Sequence, residues 1–167
     1  RSLADVGLVG FPNAGKSTFL NTVSSAKPKI ADYPFTTLRP HLGTIKYSDN
    51  SFVIADIPGI IEGASDGHGL GIKFLKHISR TGILLFFLEA FSEISAQDQF
   101  LKLKKELGDF SEKLLEKEFY IVVTKIDLID EETRFETVNT FNAREFTNVF
   151  GISSVTGEGV QDLLDDI

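Results

Sequence analysis

Gly10-Phe11-Pro12-Asn13-Ala14-Gly15-Lys16-Ser17 is the stretch on which the fold turns. It fits the pattern G-x-x-x-x-G-K-[ST], and its flanks fit as well. Ala4 to Gly10 before it is short, apolar and β-prone. Lys16 to Ser25 after it sets Phe19, Leu20 and Val23 at helical spacing. A turn with Gly10 and Gly15 between a buried strand and a helix lets successive N–H groups point inward at phosphate oxygens. The positive end of the helix lies behind them. Lys16 would neutralise the β and γ phosphates, and Ser17 would offer its hydroxyl to Mg²⁺. The plainer alternative is a glycine-rich turn with a capping serine. It needs both glycines, the lysine and the serine to coincide by chance.

Outward from this segment, strands and helices alternate. Leu42 to Tyr47 and Phe52 to Ala55 read as a hairpin around the turn residues 48–51. Ile83 to Leu88 and Phe119 to Val123 are apolar on both faces, as central parallel strands are. Gly71 to Arg80, Ala96 to Lys117 (with a break near Gly108), Glu131 to Phe141 and Val160 to Ile167 read as helices, and Phe146 to Ile152 as a last strand. Pro28, Pro34 and Pro40 mark one long loop, and the glycines between 59 and 71 mark another. The pattern predicts an α/β fold over 1–167, with a mostly parallel sheet flanked by helices. Ligand-binding segments are expected at the C-terminal ends of the strands.

Composition narrows the function classes. The chain has 167 residues, 42% of them hydrophobic, which suits one ordered domain. The net charge of −7 disfavours a grip on nucleic-acid backbones, so no hold on DNA is expected. Without cysteine there is neither a disulfide framework nor a thiolate zinc site. No apolar run reaches the roughly 18 residues of a membrane span. No signal peptide precedes the first strand, so the expected location is cytoplasmic. Methionine is absent too. A translated chain begins with one, so the sequence is expected to be a domain cut from a longer chain with an N-terminal neighbour.

Further segments carry chemistry. Asp56-Ile57-Pro58-Gly59 follows a strand. Its Asp56 can hold Mg²⁺ through water, and Gly59 leaves an N–H free to approach a γ-phosphate. Alone this tetrapeptide would be a common turn. Thr124-Lys125-Ile126-Asp127 follows a buried strand. The Asp127 carboxylate can accept two hydrogen bonds, from N1–H and N2–H₂ of guanine. Adenine has neither donor on that edge, so this group would select GTP over ATP. The Lys125 stem can lie along the base plane. Phe35-Thr36-Thr37-Leu38 offers a threonine hydroxyl for Mg²⁺ and an N–H for the γ-phosphate. Ser153-Ser154-Val155 offers backbone N–H groups for the guanine carbonyl.

In order, these five segments resemble the motif boxes of a translation-factor-type GTPase. Residues 10–20, 31–38, 56–65 and Gly67-His68-Gly69-Leu70-Gly71 closely resemble the Obg (CgtA) family. The resemblance implies a six-stranded Ras-like fold and slow GTP hydrolysis. It also implies a switch acting on assembly of the large ribosomal subunit and on growth or stress control, with ribosomal particles contacted by the full-length protein. Family members carry an N-terminal glycine-rich domain. By position, Asn13 to Thr18 would cradle the phosphates. Ser17, Thr37 and Asp56 would serve Mg²⁺, and Phe35 to Arg39 would form the first switch. Lys16, Thr37 and Gly59 would carry catalysis. Thr124, Lys125, Asp127 and Leu128 would hold guanine with Ser153 to Val155. Two positions depart from the family: Thr124 stands where Asn is usual, and Val155 where Ala is usual. A hydroxyl has one donor where an amide has two, so weaker nucleotide binding is expected. The domain is expected to be monomeric.

Hydrolysis is expected to be slow on the residues alone. Ras-like enzymes orient the attacking water with a Gln just after the Asp-x-x-Gly glycine, and Ile60 occupies that place. Asn13 matches a residue that helps hold K⁺ near the phosphates in related GTPases. A partner group, Glu62 or His68 are further sources of the missing function, and Arg39 a more remote one. Lys73, Lys76, His77 and Arg80 make one locally basic stretch in an acidic chain.

Overall fold

The apolar runs of the sequence become a single sheet in the computed structural model. The structure describes residues 4–11, 13–30, 40–47, 49–56, 81–110, 112–142 and 148–167. The expected first switch (35–39), the segment from Gly59 through His68, and the helix expected over 71–80 lie outside them.

The strands are β1 (Val6–Gly10), β2 (Lys29–Ile30), β3 (His41–Tyr47), β4 (Asn50–Asp56), β5 (Ile83–Glu89), β6 (Glu118–Thr124) and β7 (Val149–Gly151). The helices are α1 (Lys16–Val23), α2 (Ala96–Phe110), α3 (Glu131–Asn142) and α4 (Val160–Asp166), with short 3-10 turns at Glu112–Glu116 and Ile126–Leu128. The sheet order is β2-β3-β4-β1-β5-β6-β7. β3 runs antiparallel to β2 and β4, while β4, β1, β5, β6 and β7 pair in parallel.

Among the described residues the sheet thus has seven strands, against the six expected. The addition is β2, which pairs Lys29 with Leu42 and Ile30 with His41. Both of its residues are exposed. A two-residue strand has no periodicity to read. It exists because the edge of β3 offers unpaired backbone groups, in a stretch that the prolines mark as loop. The expected helix over 96–117 ends at Phe110, runs past Gly108, and continues as the 3-10 turn.

Alternation along the central strands builds two cores, one on each face. Leu84, Phe86 and Leu88 of β5 pack with Phe100, Leu103 and Leu107 of α2. Leu85 and Phe87 pack with Phe19 and Leu20 of α1 and Leu163 of α4. Edge-to-face ring pairs, Phe86 with Phe100 and Phe19 with Phe87, each 5.1 Å between centroids, mark the two layers. A strand buried on both faces has to be apolar throughout, which is why β5 and β6 read as continuous runs.

Candidate functional site

The strand order reverses at β1, which lies between β4 and β5. The crevice beyond the C-terminal end of such a strand is where doubly wound sheets bind ligands. Gly10, opposite Phe87 of β5, ends β1 there. The chain then turns, with the Ala14 N–H donating to Phe11 O at 3.0 Å. Gly15 has φ 91° and ψ 16°, in the left-handed region, and starts α1 with no side-chain cap. A side chain there would be strained. The first turn of α1 carries no acidic residue. Its free N–H groups and partial positive charge are therefore not offset by the helix itself, which suits an anion.

Asp56 brings the end of β4 to the same place. Lys16 Nζ lies 3.3 Å from Asp56 Oδ1. Ser17 Oγ donates to Asp56 Oδ2 at 3.4 Å, and His41 Nδ1 is 4.0 Å from that oxygen. Lys16 and Asp56 are buried, at 6% and 5% exposure, although both are ionisable. Asp56 Oδ1 is near the lysine charge, yet it has no hydrogen-bond partner among the described residues. A buried oxygen with an open lone pair, beside a serine hydroxyl, is a hard-oxygen donor set that fits Mg²⁺. The described residues contain no cluster of three His, Cys, Asp or Glu.

The second half of the site grows from the end of β6. Thr124 is buried, and its hydroxyl donates to Ala14 O at 2.8 Å, with Leu88 O at 3.4 Å. Lys125 adopts φ 60° and ψ 36°, the one left-handed non-glycine among the described residues. Its Nζ donates to Asn13 O at 2.6 Å. The single donor of Thr124 is thus spent on the phosphate loop, and the lysine adds a second tie to the same loop. Asp127 lies in the 3-10 turn, and Ser153 Oγ donates to its Oδ1 at 2.8 Å. The same serine oxygen accepts the Thr156 N–H at 3.1 Å, which fixes the direction of the hydroxyl proton. Asp127 Oδ2 has no protein partner among the described residues and remains available as an acceptor. Gly15, Thr18, Thr124, Lys125, Asp127, Leu128, Ser154 and Val155 line one cleft of about 250 Å³. Leu128 and Val155 are 55% and 81% exposed on its rim. Apolar side chains left open beside an ordered carboxylate suit a flat aromatic ligand.

The sequence of residues 5–125 matches the family described as 50S ribosome-binding GTPase. The chain belongs to this GTPase family. Proteins named GTPase Obg from Chloroherpeton thalassium and Bacteroides fragilis are each 54% identical to it over 98% of its length. That identity bears out the resemblance to the Obg family drawn from the motifs. The match covers 48% and 42% of those two proteins, so the chain spans about half the length of the curated relatives it matches. Among solved structures, Aquifex aeolicus Era bound to GDP and AlF₄⁻ superposes with a TM-score of 0.70. It is 22% identical, over 99% of this chain and 56% of that one. The G domain of the T. maritima FeoB iron transporter gives a TM-score of 0.63 at 22% identity, over 96% and 93% of the two chains. At that identity these likenesses speak for the fold alone. No helix among the described residues is long and apolar enough to cross a membrane.

Against the GTPase motifs, the described residues fall as follows. Gly10, Asn13, Ala14, Gly15, Lys16, Ser17 and Thr18 form the loop and helix start, and Asp56 joins them. Thr124, Lys125, Asp127, Leu128, Ser154 and Val155 form the cleft, with Ser153 beneath Asp127. Phe35, Thr36, Thr37 and Gly59 lie outside the described residues. Sequence reading gave Ser153 only a backbone role and did not find its side chain under Asp127. It also missed His41 beside Asp56, and Glu89, whose carboxylate pairs with Lys125 at 2.5 Å. For Glu89 a signal existed: a lone acidic residue closing an apolar strand, at the end where ligands bind.

Proposed function

We propose that this chain binds GTP and GDP with Mg²⁺, hydrolyses GTP slowly, and works as a nucleotide-dependent switch. One observation carries this reading. Asp127 and the phosphate loop face the same cleft, and Thr124 and Lys125 tie the two into one frame. Within it, Ser17 and Asp56 would hold Mg²⁺, with Thr37 as a further ligand, and the ion would supply charge neutralisation at the β and γ phosphates. Lys16 exchanges its contact with Asp56 for the phosphates. Asp127 reads guanine while Ser153 keeps its carboxylate turned to the base. Phe35, Thr36 and Gly59, outside the described residues, would complete the γ-phosphate contacts.

Competition between GDP and ADP tests the site. GDP is expected to displace a labelled guanine nucleotide at a concentration at least about a thousandfold below ADP, since a carboxylate facing adenine is left unpaired. Tight ADP binding sinks the guanine assignment.

Ile60, in place of a water-orienting Gln, favours a slow intrinsic rate and a second reading, in which occupancy by GTP or GDP is the signal and hydrolysis is incidental. Single-turnover hydrolysis with and without ribosomal particles separates the two. Stimulation by the particles supports the hydrolysing switch, and an unchanged rate supports the occupancy sensor. Monovalent K⁺ held at Asn13 is a further source of the missing charge. Equal turnover in KCl and NaCl removes it. The family description, 50S ribosome-binding GTPase, supports a role with the large ribosomal subunit; we place that role in the cytoplasm, with contacts made by the whole protein.

A further inference from the structure

The bond from Lys125 Nζ to Glu89 is unassigned by any nucleotide-binding motif. We infer that Glu89 is a positioning residue for guanine binding: it anchors the Lys125 ammonium and so holds the Lys125 stem as a wall of the base cleft. This rests on the guanine-nucleotide reading of the site and goes one step behind it.

Lys125 sits in a left-handed backbone conformation that disfavours a non-glycine residue, so its place depends on surrounding contacts. Its stem passes close to the phosphate loop. An added Cβ on Gly15 would lie 3.9 Å from Lys125 Cε. At the far end, Nζ reaches two acceptors from two other segments, Asn13 O after β1 and Glu89 Oε1 at the end of β5. The carbonyl is a neutral acceptor on a loop. The carboxylate brings a full charge, and its side chain is only 16% exposed against 36% for the lysine. A charge-assisted bond in that setting is the stronger of the two.

Glu89 can act as an anchor because its own backbone is clamped. It pairs with Thr124 in the sheet register. Beyond that register, Gln99 of α2 takes over as a ladder partner. Its Oε1 accepts the Glu89 N–H at 2.9 Å, and its Nε2 donates to Glu89 O at 3.0 Å. Nε2 also donates to Ile94 O at 2.8 Å, and Gln99 is 1% exposed. A buried amide with both ends engaged does not drift. The order of support therefore runs from Gln99 to the Glu89 backbone, from the Glu89 carboxylate to Lys125, and from Lys125 to the base.

The test is the rate at which the chain, loaded with a fluorescent GDP, releases it into excess unlabelled GDP. Variants are Glu89→Ala, Glu89→Gln, Glu89→Asp, Lys125→Met and the double variant Glu89→Ala/Lys125→Met. Removing the carboxylate is expected to speed release about tenfold in the Ala and Gln variants, with Asp restoring it to within about threefold of wild type. In the Lys125→Met background, Glu89→Ala is expected to add less than about twofold, because residues acting through one contact do not add. A tenfold effect in both backgrounds overturns the inference, since Glu89 would then act elsewhere. Wild-type release from the Glu89 variants overturns it as well. The Gln variant keeps the size and the Gln99 clamp, so it carries the comparison should the Ala variant not fold. A wild-type chain that takes up ADP as readily as GDP would fell the guanine reading itself. A wild-type chain that holds GDP while the variants behave as wild type fells only the role of Glu89.

Discussion

Single side chains decide how well the base is read. Ser153 is fully buried, donates to Asp127 Oδ1, and accepts from the Thr156 N–H. Ser153→Ala removes both bonds at once. The Asp127 carboxylate can then rotate, and the Thr156 N–H loses its acceptor. GDP affinity is expected to fall about tenfold, or about 1.4 kcal/mol, and folding stability by about 1–2 kcal/mol. Calorimetric titration with GDP and a urea melt read the two losses. Affinity equal to wild type would mean that Asp127 needs no orienting partner. Asp127 was legible from the sequence because its chemistry lies in one carboxylate at a fixed place in a motif. Its partner was not, because a serine 26 positions away joins it only through the β6–β7 pairing. Thr124 was read as a weakened donor. In the structure its one donor goes to Ala14 O, a bond whose partner lies 110 positions away and which no local spacing encodes.

At the scale of elements, α1 and its strand neighbours set where the phosphate loop points. Gly43 of β3 lies directly under α1: a Cβ there would fall 2.2 Å from Ser24 Oγ and 2.7 Å from Leu20 Cδ1. Neither neighbour yields easily. Ser24 Oγ is bound to Leu20 O at 2.6 Å, and Leu20 is 1% exposed. Gly43→Ala is expected to push α1 outward and cost about 1–3 kcal/mol, read as a lower urea midpoint at unchanged slope. An unchanged midpoint would mean that α1 rides up without strain. On the same face of the sheet, Tyr120 of β6 ties down the end of α4 by donating to Asp166 O at 2.8 Å. Its phenol is pushed from 10.0 to about 12, first by burial, then by the hydrogen bond and charge of Asp166 and the charge of Glu118. The folded state holds this proton longer than the unfolded chain does. The stabilisation is complete below pH 10 and is lost as pH rises through 12. Tyr120→Phe is therefore expected to cost about 1 kcal/mol at pH 8 and to flatten the fall in stability above pH 10. Denaturant melts at both pH values measure this, and an identical alkaline fall in both proteins would place its origin elsewhere. The longer elements were read correctly: β5 and β6, as continuous apolar runs, and α3 fall within a residue or two of expectation. The two residues of β2 offer no pattern to read, and β7 covers Val149–Gly151 because pairing with β6 ends at Gly151, while residues 146 and 147 of the expected strand lie outside the described residues.

Over the whole molecule, the parts of the site come from different strands of one sheet. Asp56 comes from β4, the phosphate loop from β1, Glu89 from β5, the Thr124 box from β6 and Ser153 from beyond β7. Family and fold were legible because the chemistry-bearing residues follow strands in an order that a parallel sheet converts into one edge. The ties between loops were not, since they cross from strand to strand. A ligand that spans this edge has contacts on every part of it, while the unfolded chain has no such edge and no affinity for the ligand. Binding must then raise stability by mass action. At a free GDP concentration about a hundred times its dissociation constant, with Mg²⁺, the gain is about 2.7 kcal/mol. For a domain of this size that corresponds to a rise in Tm of about 5–10 °C. ADP at the same concentration is expected to leave Tm within about 1 °C of the free chain, because the facing carboxylate rejects it. Removing Mg²⁺ with EDTA should take back part of the GDP shift. The charges of Lys16 and the α1 N-terminus still meet the phosphates, but Ser17 and Asp56 no longer act through an ion. A GDP shift unaltered by EDTA would mean that the oxygens around Asp56 hold no metal. An ADP shift equal to that of GDP would mean that the cleft beside Asp127 does not seat the base.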